Sequence, residues 1–588
     1  MQPLSKRLIV VATSTIAVAL AIWAAVPTTA HKQVLAGDLP PGALITIESP
    51  DFAGLLHAWN TSLEQAAWFK SASYSAFANS RLFGRLSDAQ GEFAGVAGSN
   101  ADAAFLQQVA GKESIFAWYD ISKLEFVYIS HLPPGQTARV DLLQERGKFS
   151  RRESGGDSFY VKTSASSGGE DAGPSSPRTV AFATRGDWLI LGTREDLVAN
   201  TLLLMQQQDS GVPQSSLATE GWYAAAEAAG PAKRGDLHML LDLQRITATP
   251  AFRTYWIQRN VTDTRQYRAA VVDLYREPHS FREERVLLPN SSANDAAAQP
   301  DLAAVEALVP ARAGVYRATA LPRPQDALAT LDEKLLTRST SSVVESTAAP
   351  AANLSVSQPG SESDLETRID TVSPKPEPAS AATAPLLAAL KAANVTSMLT
   401  IDRTDPPAAG ALFVPIRSAV VLRSTNSWDS NRLQAALLTV LRSHLTIGGL
   451  GLAWTHTDNG YLGLGATHPV ALFVDGNTAI LANDATLMND ILARRQIPMT
   501  TPESATLIAG FRHSQERADF ARLTASLAYT NAPANAGPTA NPGQSPDFFA
   551  GSIGSLSNAF RALATERLVE RRDGAFTHQT VVYTWQMP

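Results

Sequence analysis

Apolar and polar positions alternate most regularly between Val180 and Leu202. This stretch reads VAFATRGDWLILGTREDLVANTL. Two short apolar runs flank Arg185-Gly186-Asp187, and apolar residues at helical spacing follow. The pattern predicts strand, tight turn, strand, helix. Val470 to Leu492, VALFVDGNTAILANDATLMNDIL, repeats it without a gap at a constant offset of 290 (470 − 180), with seven of 23 positions identical. Gly186 and Gly476 stand where a tight hairpin needs positive φ. Thr193 and Asn483 are expected to cap the two helices, and Thr193 with Asp196 resembles a capping box.

The same reading extends to both sides. Strands are predicted at Ala43–Glu48, Ser114–Asp120, Leu124–Ser130, Leu237–Leu243, Tyr267–Tyr275 and Phe281–Leu288. Helices are predicted after Ser49 as N-cap with Pro50 at N1, across Ser80–Val109, over Thr137–Arg146 and around Pro250–Arg259. In the second half, Val309–Thr319 echoes Leu39–Ser49. Strands follow at Val395–Ile401, Ile416–Arg423 and Thr506–Phe511, with an amphipathic helix over Asn431–Leu445 and a final hairpin turning at Asp573-Gly574. Strands outnumber crossovers and are joined by short turns. The expected class is α+β: two tandem, duplicated lobes, each a mainly antiparallel sheet with helices packed on one face. The expected divisions are residues 1–37, lobe one at 38–290, and lobe two at 301–588 with a disordered insertion at 338–382. Ser164–Pro177, Arg338–Ala382 and Asn531–Pro546 are rich in Ser, Pro, Ala, Asn or Gly. They are expected to be dispensable for folding, because loop-closure entropy changes slowly with length.

Length and composition narrow the partners more than the fold. At 588 residues the chain exceeds a single core. A net charge of −6 offers no basic excess for nucleic acid. The absence of cysteine excludes disulfides, thiolate metal sites and cysteine nucleophiles. Lys6 and Arg7 precede an uncharged run of 19 residues, Leu8–Val26. It reads either as an uncleaved single transmembrane anchor or as a signal peptide cut after Ala30, with Thr28 and Ala30 as small residues at −3 and −1. Both place the bulk of the chain outside the cytoplasm, in the periplasm or anchored at the inner membrane.

Candidate chemistry is sparse. His444, His456 and His468 recur every 12 residues, but they fall on different element types and lack metal-ligand spacing. The chain has no His-Glu-x-x-His, no Ser-x-x-Lys and no Gly-x-Ser-x-Gly. Gly448–Gly451 and the run Gly460–Gly465 lack a phosphate-loop lysine and read as turns with bulged strand ends. In Phe281–Val286, Glu283 and Arg285 share one strand face and Arg282 and Glu284 the other, which reads as a solvated, ion-paired strand. Trp59, Trp68, Phe69, Tyr74, Phe77 and Phe83 suit packing, or a groove for an apolar ligand. No catalytic residue, metal ligand or cofactor is assigned, and binding residues stay unassigned. The implied partners are an unknown protein or an apolar ligand, plus the membrane if the N-terminal helix is uncleaved, and no nucleic acid.

Leu39–Phe52 (LPPGALITIESPDF), Ala110–Ile121 (AGKESIFAWYDI) and Phe281–Leu288 (FREERVLL) resemble a type of uncharacterised, exported bacterial cell-envelope protein of unknown function. The likeness covers lobe one. It implies export and supplies no catalytic residues. The leading functional expectation is a non-enzymatic binding or scaffolding module, then a carrier of a lipid or other apolar ligand, then a hydrolase of unfamiliar type.

Overall fold

The computed structural model describes residues 35–585 except 71–73, 75–77, 80, 100, 122, 165–177, 212–214, 250–263, 278–279, 291–298, 337–382, 406–415, 445–451, 465–469, 496–501 and 517–562. The expected export segment, the insertion 338–382, the loop 531–546, Phe77, Gly448–Gly451, His468 and the aromatic stretch around Pro250–Arg259 therefore lie outside the described residues. So does Ser164–Pro177 apart from Ser164, which ends a strand. The chain divides into two compact units, Met1–Asn294 with Gly574–Thr580, and Asp295–Asp573 with Val581–Pro588.

Among the described residues ten strands lie wholly within the first unit: β1 (Ile45–Ser49), β2 (Ser114–Asp120), β3 (Glu125–His131), β4 (Ser150–Ser154), β5 (Asp157–Ser164), β6 (Arg178–Arg185), β7 (Trp188–Gly192), β8 (Leu237–Leu241), β9 (Tyr267–Glu277) and β10 (Ser280–Pro289). They pair antiparallel in the order β4-β5-β6-β7-β3-β2-β1-β8-β9-β10. The second half contains β11 (Val315–Ala320), β12 (Val395–Thr404), β13 (Ile416–Ser424), β14 (Ala453–Thr457), β15 (Gly460–Leu464), β16 (Val470–Asp475), β17 (Thr478–Ala482), β18 (Leu507–Arg512), β19 (Leu563–Asp573) and β20 (Phe576–Trp585). Their order is β14-β15-β16-β17-β13-β12-β11-β18-β19-β20. Adding ten to each strand label of the first order gives the second.

The two copies of the repeated stretch form the same elements in the same register. Ala181 faces Gly192 across β6 and β7, and Ala471 faces Ala482 across β16 and β17. Gly186 and Gly476 have φ of 58° and 53°, and each is the first residue of a two-residue loop, as a type II′ hairpin turn requires. Helices α5 (Glu195–Asp209) and α10 (Ala485–Arg494) follow.

Helices cover both faces of each sheet, which corrects the expectation of one covered face. In unit one, α5 packs Leu197, Val198 and Leu202 against Ala181, Ala183 and Ile190. On the opposite face α3 (Arg81–Ala97) and α4 (Ala103–Val109) pack Val96, Ala97 and Phe105 against Val180, Phe182 and Leu189. In unit two, α10 covers Ala471 and Ile480, while α7 (Pro324–Leu331), α8 (Ala384–Ala393) and α9 (Ser430–His444) cover Leu472 and Leu481. Central strands such as WLILG and TAILA are apolar without alternation, the mark of a strand buried on both faces. Each fully buried leucine, such as Leu202 or Leu481, contributes about 1.5–3 kcal/mol relative to exposure.

Two helix starts also differ from expectation. Thr193 and Asn483 do not cap: the N-caps are Arg194, which makes no side-chain cap bond, and Asp484, which accepts from Leu487 N. Thr193 Oγ1 instead accepts from Phe126 N at 2.9 Å, and Asn483 Oδ1 accepts from Ser418 N at 2.8 Å. Phe126 and Ser418 are the same register position in β3 and β13. Each unit thus uses its residue after β7 or β17 to clamp the neighbouring strand, so the helix starts one residue later. In the first helix, α1 (Phe52–Asn60), which precedes α2 (Leu63–Phe69), Asp51 rather than Ser49 caps, accepting from Gly54 N, because Ser49 Oγ donates to Asp236 O.

Candidate functional site

Ionisable groups converge most deeply in unit one at a single row of the sheet. Glu48 on β1 faces His238 on β8, and His238 faces Asp273 on β9. The side chains of all three are buried, His238 at 2% and Asp273 at 0%. Helix α6 (Gly221–Ala229) supplies Tyr223 and Glu227, and the loop before β8 supplies Arg234. These residues reach one another because Glu48 sits two positions from buried Thr46 on the same strand face.

The geometry closes on itself. His238 Nδ1 lies 3.0 Å from both carboxylate oxygens of Asp273, and its Nε2 lies 3.1 Å from Glu227 Oε2. Asp273 Oδ1 also accepts from Gly235 N at 2.7 Å. Arg234 bonds both Glu48 and Glu227, and Tyr223 donates its hydroxyl to Glu48 at 3.2 Å. Burial alone lowers the His238 pKa, but hydrogen bonds to Asp273 and Glu227 outweigh it and hold the ring up at about 9. Burial alone raises Glu227, yet its bonds from His238 and Arg234 bring it down to about 2. Burial pushes Glu48 up, against the pull of Arg234 and His238. The ring is therefore an imidazolium with both N–H groups committed to carboxylates. A catalytic histidine base needs one nitrogen turned to a nucleophile or substrate, and here Glu227 takes that place. The arrangement ties α6 to the sheet.

Unit two has no such row at the matching register. Ala318, Ile508 and Val569 stand where Glu48, His238 and Asp273 stand in unit one, and all three are buried. Its own polar set lies one row over on the same face. Tyr316 pairs with Gly510, and Gly510 with Arg567. Tyr316 donates to Glu306 at 2.8 Å, and Arg567 bonds Glu306 at 2.9 and 2.7 Å. Thr46, Leu240 and Val271 hold the corresponding positions in unit one.

The residues singled out from sequence are dispersed. Arg285 pairs bidentately with Glu283 at 2.6 and 2.9 Å, and Arg282 bonds Glu284 and Glu277, giving an ion-paired, partly exposed strand. Trp59, Trp68 and Phe83 are buried. Tyr74 meets Trp68 and Phe69 edge-on at 6.0 and 4.9 Å. Gly460–Leu464 is the strand β15 rather than a turn. His456 is exposed on β14 and His444 ends α9. Among the described residues no cluster of His, Asp or Glu has metal-binding geometry, and no helix is long and apolar enough to cross a membrane. Glu48, Glu227, Arg234, His238 and Asp273 are not among the residues that stand out in the sequence. A signal was present in AAVVDLY, where Asp273 lies on the strand face of Val271 and Tyr275, both buried.

No family model and no curated protein matches the chain. Among solved structures, crystal form I of TP0453, a Treponema envelope-associated protein, matches 45% of this chain and 81% of its own at 11% identity and a TM-score of 0.22. At that score the likeness carries no argument about fold or function.

Proposed function

We propose that the chain is an exported, non-enzymatic cell-envelope protein, built by duplication of one ten-stranded unit and acting as a binding or scaffolding module. The observation that carries this reading is the exchange of Glu48–His238–Asp273 for Ala318–Ile508–Val569 within one shared strand order. A row that is ionic in one unit and hydrocarbon in the other serves packing in both. Duplication is supported by the offset of 290, which is the spacing of the repeated sequence and of the matched β6–β7 and β16–β17 pairings. Export is supported by Lys6 and Arg7 ahead of Leu8–Val26.

Crosslinking in intact cells, followed by affinity capture and mass spectrometry, is expected to return a protein partner in stoichiometric yield. Native mass spectrometry of the purified chain that instead shows a bound lipid-sized mass would replace the scaffold with a carrier. A reporter fused to the C-terminus is expected to be active only outside the cytoplasm. Activity confined to the cytoplasm would end the envelope reading.

A further inference from the structure

We infer that β14 is a self-pairing sheet edge, through which two copies of this chain join antiparallel about a twofold axis. Among the described residues β14 pairs only with β15. Its five residues, Ala453-Trp454-Thr455-His456-Thr457, are exposed except for half-buried Trp454. An edge strand presents a row of N–H and C=O groups open to another strand, and natural edges are usually blunted by charge.

The equivalent edge of unit one is blunted in this way. Tyr160 faces Phe182 and Arg151, whereas Tyr461 faces Leu472 and His456. Phe182 and Leu472 are 290 apart, so His456 replaces Arg151 and, one step along, Thr457 replaces Arg152. On β4, Arg151 pairs with Glu153 at 3.3 Å and Arg152 with Glu195 at 3.6 Å. A twofold pairing of β4 about Arg152 would set two arginines face to face, a destabilising contact. Both arginine positions are gone from β14, and the counterpart of Glu153, Asp458, lies in the turn beyond the strand.

A second copy is the occupant that the β14 side chains fit. Antiparallel pairing about Thr455 sets Thr455 against Thr455, Trp454 against His456 twice, and Ala453 against Thr457 twice. Thr–Thr and aromatic pairs are the cross-strand contacts that stabilise a sheet, and no like charges meet. One strand supplies both halves, as an isologous contact requires. Trp454 is already fixed, its Nε1 donating to Gln434 O at 3.2 Å, and His456 meets the Tyr461 ring edge-on at 5.3 Å. Little side-chain freedom is lost on pairing. The inference does not depend on the envelope reading, since a chain in any compartment would present the same edge.

Because the chain has no cysteine, a single introduced thiol reports one contact. The full chain in detergent solution is the sample. Oxidised Thr455→Cys is expected to form a covalent dimer roughly tenfold or more faster than the β4 control Arg151→Cys, as held proximity rather than collision dictates. Wild type should sediment as a dimer and Thr455→Lys as a monomer with an unchanged circular dichroism spectrum. Mixing Thr455→Lys with Thr455→Glu should restore dimers. A monomeric wild type, equal crosslinking of the two cysteine variants, or capture of a different protein on β14 would overturn the inference. If Thr455→Lys fails to fold, the cysteine rates still decide.

Discussion

Unit one lines one buried row of its sheet with Glu48, His238 and Asp273, while unit two lines the matching row with Ala318, Ile508 and Val569. The strand order and the backbone clamp at Thr193 and Asn483 are shared. The difference teaches that the ladder sets positions and not their chemistry. What decides the row is the layer above it: α6 brings Glu227 and Tyr223, and the following loop brings Arg234. Where those partners exist, a buried histidine is satisfied. Where they do not, hydrocarbon fills the space.

The largest effect is expected from cutting the ionic row on one side. His238→Ala leaves buried Asp273 without its cation and should cost about 3–5 kcal/mol in urea unfolding, whereas Asp273→Ala leaves His238 paired with Glu227 but strands its Nδ1–H, at a cost of about 1–3 kcal/mol. An effect below about 1 kcal/mol in both would mean that the row is not closed as described.

A pH dependence should belong to the same row. His238 has its pKa raised from 6.5 to about 9, so its contribution is full below 6.5 and lost as pH rises to about 9. Glu227 is lowered from 4.5 to about 2, so its contribution is full above 4.5 and lost as pH falls to about 2. Glu48, pushed up by burial from 4.5, loses stability as pH rises above 4.5, so the row should stabilise most near the acid end of the interval from pH 4.5 to 6.5. Asp38 is raised to about 7, first by burial and then by Asp209, and subtracts stability over part of that range. Unfolding is best followed across pH in an Asp38→Asn background, where a profile rising steadily to pH 9 would contradict the assignment.

Unit two offers a smaller contrast. A Cβ on Gly510 would collide with the Tyr316 ring, so Gly510→Ala should cost about 1–3 kcal/mol through overpacking. Leu240, the matching residue in unit one, is buried beside Thr46 rather than beside a tyrosine. A neutral Gly510→Ala would show that Tyr316 swings aside.

The clamp should act alike in both units. Thr193→Val and Asn483→Leu each strand a backbone N–H, of Phe126 or Ser418, at a cost of about 1–3 kcal/mol. Thermal unfolding that finds one costly and the other neutral would separate the two frames.

Much of this frame was legible from residues. The repeat at offset 290 marked β6, β7 and α5 with their partners, since turn glycines and apolar runs are local signals. The second covered face was also written in WLILG and TAILA, but short turns suggested an open face and obscured it. Thr193 and Asn483 looked like caps because capping is a local property, whereas their bonds to Phe126 and Ser418 span 67 and 65 residues. The ionic row was the hardest to see. Glu48, His238 and Asp273 come from strands far apart in sequence, and only the β1–β8–β9 register sets them side by side. The charges of FREERV drew the eye because they are consecutive, yet they lie half-exposed and paired with one another.

The central claim is that the row lines a shared frame and does not perform chemistry of its own. Its most direct test gives unit one the residues of unit two: Glu48→Ala, His238→Ile and Asp273→Val together, followed by urea unfolding. Replacing a buried ionic set with packed hydrocarbon is often neutral or stabilising. The account predicts that the triple variant folds cooperatively and loses less stability than His238→Ala alone. A triple variant that loses as much as the single changes summed, or fails to fold, would contradict it.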